Sequence, residues 1–72
     1  MKPKRFEVGI FNQEVVDAMK SGGHHRHLKD GWADKNYFTV DAENAEGAKR
    51  KMVVRYPPEM GFVIDSVTEV DL

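Results

Sequence analysis

Phe6-Glu7-Val8-Gly9-Ile10-Phe11-Asn12 is the stretch on which the fold turns. Phe6, Val8 and Ile10 alternate with Glu7, Gly9 and Phe11, so one side of an extended chain is apolar throughout. A period of two in β-branched and aromatic residues predicts a strand with one buried face. Gly9 has no side chain to pack and marks a bulge or a close approach of another group. Asn12 is read as a helix N-cap, because its short amide accepts a bond from a free backbone N–H of the first turn. Glu14 suits the positive end of the helix dipole. Val15, Val16 and Met19 give this first helix a short apolar stripe, and Ser21-Gly22-Gly23 ends it near Lys20. At under three turns it needs tertiary contacts to persist.

The remaining elements follow outward from that unit. Asn36 to Asp41 reads as a second strand, with Phe38 and Val40 inward. Asn44 caps a second helix, whose Ala45, Ala48, Met52 and Tyr56 fall on one face. Lys49, Arg50 and Lys51 turn to water, and Pro57-Pro58 stops the helix near Tyr56. Gly61 opens a third strand, Phe62 to Val70, whose alternation slips between Ile64 and Val67 and predicts a bulge at Asp65-Ser66. The expectation is a single α+β domain over residues 1–72, with a small three-stranded sheet in β-α-β-α-β order and the second helix packed on one face. Phe6, Val8, Ile10, Phe38, Val40, Ala48, Met52 and Ile64 should share the core. The second sheet face is either covered by the first helix and the loop after it, or open to a partner.

Composition sets limits. A 72-residue chain buries only about 60% of its unfolded surface, and its core supplies about 3–5 kcal/mol. With no cysteine there is no disulfide, thiolate zinc site or thiol nucleophile, which fits a reducing, cytoplasmic setting. A homodimer is one way to supply the missing burial. The 11 Lys and Arg are balanced by 12 Asp and Glu, against the excess that sequence-independent nucleic-acid binding requires. No apolar run has the length of a membrane span, and the basic start, Met1 to Arg5, is not followed by an export segment.

His24, His25, Arg26 and His27 form the one unusual cluster, holding all three histidines of the chain. His24 and His27, or His25 and His27, have the reach to share one ion, with Asp30 or Asp34 as an oxygen ligand. Every such ligand lies on one loop beside two glycines, however, and no cofactor or metal is expected. The same loop is also read as an anion site: Lys20, Arg26, Lys29 and Lys35 supply charge, and Trp32 and Tyr37 supply stacking surfaces. Residues 1–35 hold seven basic against five acidic residues, and residues 36–72 four against seven. The acidic end from Glu59 onward either mimics phosphates or keeps an edge strand from pairing.

No nucleophile elbow, P-loop, dinucleotide fingerprint or paired zinc histidines occur, so no enzyme is expected. The run from Val40 through Ala48-Lys49 and Tyr56-Pro57 to Gly61–Val67 resembles the strand–helix–strand design of small bacterial and phage proteins, some phage-encoded anti-CRISPR inhibitors among them. That resemblance implies a fold and assigns no activity. The leading expectation is a non-catalytic protein-interaction module, of which a phage or mobile-element inhibitor is one case. Its binding residues would be His24, His25, Arg26, His27, Lys29, Trp32 and Tyr37. The alternative is a nucleic-acid-binding accessory protein that uses the loop at 24–35.

Overall fold

In the computed structural model, which describes residues 3–70, β1 (Lys4–Asn12) is the central strand. β2 (Asn36–Ala42) and β3 (Phe62–Val70) flank it, both antiparallel, in the order β2-β1-β3. α1 (Gln13–Lys20) follows β1 directly, and α2 (Ala45–Arg55) links β2 to β3. Two short 3₁₀ turns, Asp30–Ala33 and Pro58–Met60, complete the elements. No helix among the described residues is long and apolar enough to cross a membrane.

The expected core forms. Phe6, Val8, Ile10, Ala42, Ala48, Met52 and Phe62 are buried together, with Phe38, Val40, Ile64 and Val67 packed against them. α2 lies across this face and touches all three strands. Ala45 is an exception to the expected helical face: it sits at the first helical position and remains exposed. In α1, Val15 is fully buried, but Met19 is exposed at the helix end.

The slip in the third strand is a bulge. Gly9 pairs with Ser66 and Ile10 with Ile64, leaving Asp65 unopposed. Ile64 and Val67 therefore both face the core, while Asp65 and Ser66 both face away. Gly9 sits beside this step for a steric reason. A Cβ there would lie 2.6 Å from Ser66 Oγ and 2.8 Å from Lys35 Cδ. The missing side chain lets Lys35 cross the outer face of the sheet from the β2 side and pair with Asp65 on β3.

Both ends of the chain segments meet at Asn12, which is fully buried. Its Oδ1 accepts from Val15 N–H at 3.2 Å, and its Nδ2 donates to the Met60 carbonyl at 3.0 Å. Gln13 N–H adds a bond to the Gly61 carbonyl at 2.7 Å. Gly61 has φ +91°, and a Cβ there would lie 2.7 Å from Glu14 Cγ. Only glycine combines that backbone angle with that contact.

The outer face of the sheet, opposite α2, is open over most of its length. Arg5, Glu7, Tyr37, Thr39, Asp41 and Thr68 are all exposed there. It is a solvated face of the kind antiparallel sheets commonly carry, mostly polar but with Tyr37, Val63 and Val70 exposed on it as well. The loop after α1 lies on the other side, where Leu28 and Trp32 pack against the core.

Candidate functional site

The histidines of the loop have separate tasks. His25 is largely buried, and its Nδ1 accepts from the backbone N–H groups of His27 and Leu28, both at 3.0 Å. An accepting Nδ1 leaves the ring proton on Nε2, which donates to Glu14 Oε1 at 3.0 Å. His25 is thus a clasp between the loop and α1. His24 is mostly exposed and donates from Nδ1 to the Asp30 carboxylate at 2.9 Å. Arg26, His27 and Lys29 are exposed. Among the described residues, no three His, Asp or Glu side chains converge as a metal site would require.

The two aromatic members of the sequence-derived set are not brought to these cations. Trp32 stacks on Phe38 and meets Tyr56 and Phe62 at ring-centre distances of 5.4 and 5.1 Å. It closes the core at the end of α2. Tyr37 is exposed on the opposite face of the sheet, beneath the Lys35 ammonium at 5.9 Å from its ring centre. A stacking surface next to Arg26 and Lys29 is therefore not assembled from Trp32 and Tyr37.

A different surface combines apolar area, charge and free backbone. α2 and the edge strand β2 border a groove of about 680 Å³. Phe38, Val40, Met52 and Tyr56 line it, together with Thr39, Lys51, Arg55 and Asp41, whose carboxylate is paired with Arg5. Val54, also on it, is 83% exposed, the most exposed of the large apolar side chains among the described residues. Lys51 Nζ donates to the Asp41 carbonyl, which places that carbonyl on the side of β2 away from β1. The period of two along an antiparallel strand gives the main chain of Thr39 and Tyr37 the same outward direction.

The electrostatics of the two layers differ. On the strands, Lys4 pairs with Glu69 and Arg5 with Asp41, and the Asp65 carboxylate raises the Lys35 ammonium above the usual lysine range, first by its hydrogen bond and then by its charge. Lys49, Arg50, Lys51 and Arg55 on α2 have no carboxylate partner among the described residues. These four are all the basic residues of the second half of the chain. Sequence reasoning assigned the first three to a solvated helix face. The signal it lacked was the strand order, which makes β2 an edge and seats it beside them.

Comparison of the chain with protein-family models, with curated proteins and with solved structures finds no match in any of the three.

Proposed function

We propose that this chain is a non-catalytic protein-interaction module whose docking surface is the groove between α2 and the free edge of β2. The observation that carries the reading is the position of Val54: a branched apolar side chain, 83% exposed, on the groove wall between Lys51 and Arg55. Apolar area within a charged rim is the usual make-up of a protein-binding patch. The edge strand beside it adds outward main-chain groups, through which sheets recruit extended partners. The His loop belongs to the scaffold in this reading, since His25 and Trp32 are engaged in holding the loop down. The absence of cysteine favours a cytoplasmic setting.

Site-specific photo-crosslinking tests the proposal. A benzophenone amino acid at Val54 should capture a discrete protein from the native host, and the same group at Thr68 on the outer sheet face should not. Capture at Thr68 with none at Val54 would move the docking surface to the open face. Capture at neither position would remove the interaction reading.

A further inference from the structure

The two edges of the sheet are unequal as pairing templates. β3 carries the bulge at Asp65, and its two acidic side chains, Asp65 and Glu69, are paired with Lys35 and Lys4. Bulges and charges are the common means by which an edge is kept from pairing. β2 has no bulge: its seven residues run in unbroken register with β1 from Asn36 to Ala42, and its one acidic side chain, Asp41, is paired with Arg5. Among the described residues, only its Asp41 carbonyl is occupied, by Lys51. Thr39 and Tyr37 lie in the part of the edge that remains.

Resting on the docking surface proposed above, we infer that its occupant is an extended acidic segment of a partner protein, which pairs with the free edge of β2 and sets its carboxylates against Lys51 and Arg55. Side chains of an added strand alternate between the two faces of the sheet. Those on the α2 side meet the groove, where cations flank an apolar floor. The chemistry called for there is carboxylates interspersed with apolar residues, and small polar residues on the other side beside the exposed Thr39.

Two other occupants fit less well. A second copy paired through β2 would set Lys51 and Arg55 of each protomer near their counterparts, and like charges placed together oppose association. A nucleic acid would meet the cations, but also an apolar floor and an exposed valine, without an open aromatic plane for a base. Phe38 and Tyr56 in the groove lie against one another at 5.1 Å, and Tyr37 is on the far face.

The test uses the full chain and a capped peptide of the same seven-residue length as β2, Glu-Thr-Val-Thr-Glu-Thr-Val. Its controls are the same peptide with Lys for Glu, one with Pro for the central Thr, and a short single-stranded oligonucleotide. The acidic peptide should bind with a dissociation constant of about 100 μM or tighter. It should also slow amide exchange at Thr39. Arg55→Glu should weaken binding by about tenfold or more. Thr39→Pro, which removes an outward N–H at a position where an edge strand tolerates proline, should abolish it. Thermal melts establish that each variant is folded; if Thr39→Pro is not, the exposed Arg55→Glu and the Thr39 amide carry the test.

No binding at about 1 mM would overturn the inference. Equal binding of the lysine or proline peptide would do so too, as would full affinity in folded Thr39→Pro. Oligonucleotide binding that Arg55→Glu abolishes, with none by the peptide, would assign the surface to nucleic acid instead. A protein captured at Val54 in the absence of peptide binding would sink the acidic strand and leave the module.

Discussion

His25 holds three hydrogen bonds with one ring, two accepted at Nδ1 and one donated from Nε2. Replacement by alanine leaves the N–H groups of His27 and Leu28 without that acceptor and frees the loop from Glu14. The expected cost is about 1 kcal/mol, the net worth of a typical hydrogen bond, because the bonds to His27 and Glu14 are exposed and that to Leu28 only part-buried. His24→Ala or Arg26→Ala, at exposed positions, should stay within about 0.5 kcal/mol of wild type. Urea melts of the three variants decide it; equal effects from all three would show that the clasp is not formed in solution. Lys35 gives a second expectation with a definite pH window. Its pKa is raised in the fold by Asp65, so the stabilisation is fully present below the unfolded lysine value of about 10.5 and is lost as pH rises through the higher folded value. Lys35→Met keeps the stem over Gly9 and removes the charge. The variant should be the less stable at neutral pH and should converge on wild type in strongly alkaline solution. A gap that persists there would mean that packing, and not the ion pair, ties Lys35 to Asp65. The histidines were visible in the sequence as a cluster, but their separate roles were not. Which ring is buried depends on where Glu14 and the main chain of residues 27 and 28 arrive, and spacing carries no trace of that.

At the scale of elements, local signals were legible wherever the physics is local. Asn12 and Asn44 cap the helices as their positions implied, accepting from Val15 and Gly47 N–H. The interrupted alternation at Asp65-Ser66 is a bulge because only an extra residue lets Ile64 and Val67, three apart, both face inward. Non-local partners were illegible: the second bond of Asn12, to the Met60 carbonyl, joins groups 48 residues apart. That bond makes Asn12 a joint between β1, α1 and the start of β3. Asn12→Ala should therefore exceed the cost of an ordinary cap, typically about 1 kcal/mol, and reach about 2–3 kcal/mol. Asn44→Ala, whose cap is exposed, supplies the comparison and should cost about 1 kcal/mol. Chemical denaturation of the pair measures the difference. Equal losses would show that the Met60 bond contributes nothing. The same limit hid the candidate groove. α2's basic run was plain to see, yet nothing local says that β1 is central and β2 an edge, and it is this order that puts a free edge beside Lys51 and Arg55.

Over the whole molecule, the aromatic cluster is the feature that stability most depends on. Trp32, Phe38, Tyr56 and Phe62 come from a loop, a strand, a helix end and a second strand, and each ring touches at least two of the others. The cluster closes the part of the core next to α2's C-terminus, where no helix covers the sheet. From sequence, Trp32 is one of the expected binding residues, because the segment around it has no clean period to assign it to a buried face. Its position predicts a different response. Tryptophan-to-alanine changes in cores cost about 3–5 kcal/mol, and a half-buried Trp32 belongs near about 3. A domain of this size has only about 3–5 kcal/mol in hand. Trp32→Ala should therefore leave a large fraction of the chain unfolded at room temperature, with collapsed amide dispersion in its NMR spectrum. Trp32→Phe keeps a ring against Phe38 and Phe62, and should fold with a lowered melting temperature. Phe38→Ala, from the opposite side of the same stack, should resemble Trp32→Ala. If Trp32→Ala instead melts within a few degrees of wild type, the indole is not part of the core. The loop from His24 to Lys35 would then regain its place as the docking surface, with Trp32 as its anchor and the α2 groove as bystander.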